Sequence, residues 1–281
     1  MPSIHSVNTP ARIVKDMRHT TAPWVEGVAR LGFAAKGLVY VLTGTLAARA
    51  AIGLSGGRVT DAHGTLATIP TLPMGRILLG LIAVGLFGYA LWRGIAAIVD
   101  PEHRGTKPKA IGKRALDFAK ALIHIGLALG AIRVLRGAGA HEGGASAKSW
   151  SAELLTHPGG VVILAAIGAA LVVYALGQVH RAWKGEFLKK LDLGTTRLRT
   201  WVERTGRAGL LARSAVFALI GAFVIRAATH GNASEVRGPG AALRSVDDTF
   251  GVWALVAIAI GLGAYGVFEI FEAWFRRIRA E

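Results

Sequence analysis

Three basic side chains recur at one place in a repeated pattern: Lys36, Lys120 and Arg213. After twelve uncharged residues each is followed by an arginine, giving Arg49, Arg133 and Arg226. A second set recurs with them. Tyr89, Tyr174 and Tyr265 close three apolar runs, and four residues beyond each stands a polar side chain: Arg93, Gln178 and Glu269. Cations beside tyrosine hydroxyls are suited to holding a lipid headgroup or a small anion through charge-assisted hydrogen bonds. Arg93 and Glu269, counterparts of opposite charge, are expected to pair across the bundle, which relieves the cost of two charges in an apolar interior. No other constellation points to chemistry. There is no nucleophile elbow, P-loop or dinucleotide fingerprint, so neither a catalytic residue nor a cofactor is expected. His63, His141, His157 and His230 fall in loops without metal-ligand spacing, and no metal site is expected either. The chain has no cysteine, which excludes thiolate sites and disulfides.

The elements that carry these residues are built for lipid. A hydrophobic fraction of 52% would suit a soluble domain as well, but its distribution would not. Residues 158–179 and 249–268 contain no charged side chain, the mark of a spanning helix. Residues 24–32 and 201–209 share the spelling W-V-E-x-x-x-R-x-G, and that offset also maps Lys36 onto Arg213 and Gly44 onto Gly221. A middle copy lacks the Trp-Val-Glu entry, with Leu116 in place of the glycine and His124 in place of Tyr40 and Phe217. Gly37 with Gly44, Ala121 with Ala128, and Ser214 with Gly221 make seams where another helix can approach closely. The expected architecture is an all-α membrane protein of six transmembrane helices, three tandem hairpins in a pseudo-threefold arrangement. A polar arm occupies 1–23. The first repeat spans 24–110 (helices 28–52 and 75–98), the second 111–194 (113–136 and 159–183), and the third 195–281 (206–229 and 251–275).

The net charge of +16 invites a nucleic-acid reading, but the basic residues are spread over particular connections and not gathered on one module. Lys and Arg crowd the arm, the two links between repeats and the tail, and are sparse in the three loops within repeats. By the positive-inside rule both termini are cytoplasmic, and no nucleic-acid partner is expected. Residues 1–23 lack the apolar core of a cleavable signal, so the first span is expected to target the chain. Trp24 and Trp201 suit the interface, and Arg49, Arg133 and Arg226 suit anchors at the outer face. Thirteen helical residues rise about 19.5 Å, short of a hydrocarbon core roughly 30 Å thick. Lys36, Lys120 and Arg213 therefore either snorkel to the cytoplasmic face or point into the bundle and hold an anion.

The three-hairpin layout, the basic residue early in each first helix and the tyrosine ending of each second helix resemble the bacterial integral membrane family catalogued as domain of unknown function 1206. The resemblance covers nearly the whole chain from Trp24 onward. It implies the fold and a membrane location, and brings no activity, substrate or cofactor with it. The expected function is that of a non-enzymatic inner-membrane module that contacts lipids or binds other membrane proteins. The alternative is a small transporter or channel that uses the cytoplasmic-side polar layer.

Overall fold

The computed structural model describes residues 23–98, 107–138, 143–194 and 196–276. The arm, the basic stretch 99–106, the loop with His141 and the end of the tail lie outside the described residues. Six helices are long and apolar enough to cross a membrane: α1 (Pro23–Ala51), α3 (Gly75–Ile98), α4 (Pro108–Leu135), α6 (Gly160–Lys184), α7 (Thr196–Thr229) and α9 (Val252–Phe275). The chain is a multi-span membrane protein. Short helices fill the connections within repeats: α2 (Ala62–Thr68), α5 (Gly143–Leu155) and α8 (Pro239–Phe250). Six crossings put residues 23 and 276 at one end of the bundle, the termini end. The short helices gather at the other, the loop end.

Local chemistry explains where these elements start and stop. Asp61 caps α2 by accepting from the Gly64 amide at 3.0 Å, which gives this carboxylate a structural task beside His63. Pro239 opens α8, and Gly251, at φ +81°, turns the chain from α8 into α9. Neither α2 nor α8 simply rests on a membrane surface. Leu66 and Ile69 are buried with Leu79, Ile82 and Leu127, and Leu243 and Val246 with Val216, Leu255 and Leu262. Both short helices thus plug the loop end of the bundle with apolar side chains.

The helices follow one another in the order α4, α3, α1, α9, α7, α6, each packed on the next. The second long helix of every repeat packs on the first of the following one: α3 on α4, α6 on α7, and α9 back on α1. Within the repeats α1 packs on α3 and α7 on α9. The middle repeat departs from this pattern, because α4 and α6 do not pack along their lengths. The hairpin expected there is splayed, and the bundle is a ring opened on one side.

Missing glycines account for the opening. Within the first and third repeats the two helices touch backbone to backbone. A Cβ on Gly32 would come 2.6 Å from the Tyr89 nitrogen, and one on Gly209 2.4 Å from the Tyr265 Cα. One turn along, a Cβ on Gly85 would meet the Ala35 methyl at 2.5 Å, and one on Gly261 the Ala212 methyl at 2.4 Å. Only glycine permits either approach. The middle repeat has Leu116 and Ala170 at these two positions, and the Leu116 side chain is 44% exposed. The seams between repeats are likewise used for close approach. At α1 against α9, a Cβ on Gly44 would lie 2.5 Å from the Ala259 carbonyl oxygen, and one on Gly37 2.7 Å from that of Gly266. At α6 against α7, Gly168 and Gly221 face each other in the same way.

Candidate functional site

The recurring basic residues sit near the middle of their helices and inside the bundle. Lys36 does not snorkel: its side chain is 6% exposed, between α1, α3 and α9. Its Nζ donates to Glu269 Oε1 at 2.5 Å and to the hydroxyls of Tyr265 and Tyr89 at 3.1 and 3.4 Å. The two tyrosine rings lie 4.9 and 5.2 Å from the same nitrogen, adding cation–π attraction. Glu269 is 1% exposed, and its Oε2 has no hydrogen-bond partner among the described residues. In such a place a charge persists only because its counter-charge is in contact.

The expected Arg93–Glu269 pair does not form. Arg93 instead donates to the Tyr89 hydroxyl at 2.9 Å and to Asp117 Oδ1 at 3.2 Å. Because α9 leans on α1 while α3 leans on α4, the side chains four residues past the tyrosines face different neighbours and no common axis. Asp117, an acidic residue inside α4, was not singled out in the sequence. Its spacing of three from Lys120 was the available signal, and Lys120 Nζ does donate to Asp117 Oδ1 at 3.1 Å. One polar chain therefore runs Glu269, Lys36, Tyr89, Arg93, Asp117, Lys120.

The remaining members lie at the ends of this chain. Arg213 donates to the Tyr265 hydroxyl at 3.0 Å and stands over the rings of Phe217, Tyr265, Tyr40 and Tyr174 at 5.0 to 6.0 Å. Tyr40 belongs to the site although only its repeat position marked it beforehand. His124 Nδ1 lies 2.7 Å from the Lys120 carbonyl oxygen, which can only accept, so Nδ1 carries the hydrogen and Nε2 is left as an acceptor. Its ring tilts against Tyr89 with centroids 4.4 Å apart. Tyr174 packs edge-on to Phe217 and makes no hydrogen bond through its hydroxyl among the described residues.

The outer members of the basic pairs are separate from this layer. Arg49 reaches the Ser55 carbonyl, Arg133 is exposed in the last turn of α4, and Arg226 Nε lies 2.8 Å from Glu235 Oε2. Cations in a last helical turn also meet the negative end of the helix dipole. A hydrogen bond from His230, together with the Arg226 charge, holds the half-buried Glu235 carboxyl below its ordinary value. Trp201 is 63% exposed near the termini end, whereas the Trp24 side chain lies outside the described residues. At that end Arg30 bonds Glu26 and also caps α9 through the carbonyls of Ala273 and Trp274, at 2.7 and 2.6 Å. Arg114 caps α3 in the same manner through Ala97 and Ile98.

Comparison with known proteins agrees with the repeat. The sequence matches the family described as Domain of Unknown Function (DUF1206) in three segments, residues 31–100, 118–185 and 208–276. A relative in Bacillus subtilis (strain 168), the uncharacterized protein YxxB, is 32% identical over 273 residues, covering 96% of this chain and 98% of its own. No solved structure matches the chain.

Proposed function

The chain belongs to the DUF1206 family, and on that premise we propose that it is a non-enzymatic module of the bacterial inner membrane that contacts lipid or binds another membrane protein. Its three repeats follow a pseudo-threefold order that is broken at the splayed middle repeat, with both termini in the cytoplasm on the side where Lys and Arg crowd. Membrane lipids are its main partners, other membrane proteins further ones, and it uses neither nucleic acid nor a cofactor. The observation that carries this reading is the packing between Lys36 and the loop end. Gly44 lies against the backbone of Ala259 and Gly263, and Val39, Leu66, Leu79 and Leu86 fill the space beside it. This packing separates the charged layer from the loop end, and the buried Thr43 and Thr65 hydroxyls within it are tied to each other and to backbone carbonyls. Ion pairs such as Lys36 with Glu269 then act as a lock between α1 and α9.

One observation favours the transporter or channel reading. The polar chain from Glu269 to Lys120 is charged, buried and confined to the termini half, as a half-pathway would be. Purified protein in phospholipid vesicles separates the two. The module reading expects no chloride or phosphate flux above protein-free vesicles, and a Glu269→Gln variant that is only less stable. Flux that disappears in a fully folded Glu269→Gln variant overturns it.

A further inference from the structure

We infer that the opening between α4 and α6 is a lateral groove for an anionic phospholipid, with its phosphate held by Arg213 and Lys120 and its acyl chains left in the bilayer. This rests on the lipid-contacting reading above, and supplies its ligand and its site.

The repeat shows what is missing. Lys36 gets its carboxylate from the position four residues past the tyrosine of the preceding repeat, Glu269. For Arg213 the same position is Gln178, and for Lys120 it is Arg93. Gln178 offers no charge, and its Oε1 already accepts from Arg181 at 2.8 Å. Arg213 makes no ion pair among the described residues, and its buried Nε has no hydrogen-bond partner. Lys120 must share the Asp117 Oδ1 oxygen with Arg93. In this layer four cations, Lys36, Arg93, Lys120 and Arg213, meet two described carboxylates, Glu269 and Asp117. Among the described residues this leaves positive charge in excess inside the membrane, which a bound anion would neutralise.

The fold shows where that anion enters. Lys120 lies on α4, one side of the splayed repeat, and Arg213 on α7, which packs on α6, the other side. The Lys120 side chain is 27% exposed, against 6% for its counterpart Lys36 in a closed repeat. Tyr174, on the α6 side, is half-buried with an uncommitted hydroxyl. One and two turns nearer the termini end, α6 carries the buried Gln178 and, bonded to it, the half-buried Arg181. A headgroup then passes Arg181 and reaches the partly exposed Lys120 through the gap between the two helices, while its chains stay in the bilayer between α4 and α6. A soluble anion would need no lateral opening, and a neutral lipid would leave the charges unmatched.

The test is native mass spectrometry of the full chain in detergent, titrated with phosphatidylglycerol, phosphatidylcholine of the same chains, or inorganic phosphate. Phosphatidylglycerol is expected to bind about tenfold more tightly than phosphatidylcholine. Lys120→Gln, at a partly exposed site, is expected to weaken it about tenfold, and Arg213→Gln by at least as much. Leu116→Gly with Ala170→Gly removes no charge but lets α4 and α6 close, and is expected to weaken it too. Melting curves confirm that each variant is folded, and Lys120→Gln alone suffices if Arg213→Gln is not. Phosphatidylglycerol binding that ignores all these substitutions overturns the site but spares the lipid-contacting reading. Equal binding of both lipids, or none, overturns both. Inorganic phosphate binding as tightly as phosphatidylglycerol makes this a free-anion site and overturns the lipid assignment.

Discussion

Removing one partner of the Lys36–Glu269 pair should reveal how unevenly its cost is shared. Both groups are buried and their contact is 2.5 Å long. Breaking a buried pair costs about 3–5 kcal/mol, because the partner left behind is an uncompensated charge. Glu269→Gln keeps the shape and one acceptor oxygen, and Lys36 retains the Tyr265 and Tyr89 hydroxyls. Its cost should fall near the lower figure, about 3 kcal/mol. Lys36→Met instead strands a carboxylate whose Oε2 has no partner among the described residues, with the Tyr265 O–H as the one donor left near it. That cost should approach about 5 kcal/mol. Replacing both, Lys36→Met with Glu269→Leu, leaves no orphaned charge and should recover most of the loss. Equilibrium unfolding by SDS titration from mixed micelles measures all three. A Lys36→Met cost no larger than that of Glu269→Gln, or a double variant no more stable than Lys36→Met, refutes the reasoning.

Three further outcomes follow from other parts of the molecule. Gly44→Val drives a side chain into the Ala259 and Gly263 backbone and should cost about 3 kcal/mol, whereas Gly126→Ala, with open space around it, should stay within about 0.5 kcal/mol; the same unfolding assay compares them. Since the chain has no cysteine, single substitutions report topology directly: Ser55→Cys should react with a membrane-impermeant maleimide in intact cells, and Lys189→Cys only after lysis. The clasp of Glu235 by His230 and Arg226 concerns a carboxyl with a lowered pKa. Its contribution is therefore complete above the ordinary glutamate value of about 4.3 and is lost as pH falls through the lowered one. The protection of the Asn232 and Val236 amides, taken relative to unstructured exchange at the same pH, should fall only in that acid range, and a loss already at neutral pH contradicts the assignment.

The spans and the repeat were legible because lipid enforces long uncharged runs and tandem copies preserve spacing. The membership of the polar layer was legible for the same reason: Lys36, Arg213, Tyr89, Tyr265 and Glu269 do come together. Their pairing was not. Hairpins imply that each second helix answers to its own first helix, whereas the closest crossing joins α9 to α1 and turns Glu269 toward Lys36. Asp117 escaped notice because it falls near the start of its span, where a charge ordinarily faces water. Only the distance to Arg93 assigns it to the interior.

The two substituted glycines join the architecture to the charge. Gly32 and Gly209 let a tyrosine backbone lie against the first helix, which brings that tyrosine to the basic residue one turn further along: Tyr89 to Lys36, and Tyr265 to Arg213. With Leu116 and Ala170 in these places, Tyr174 cannot reach Lys120, and the lysine turns to Asp117. Closing the repeat would thus give Lys120 a tyrosine hydroxyl but no new carboxylate. Opening it gives the surplus charge access to anions at the membrane surface. A repeat that had merely decayed would be expected to lose its intramembrane lysine first, since that side chain is the costliest one to leave without a complete set of partners. Here the lysine is present, the clasping glycines are not, and the cation is partly exposed.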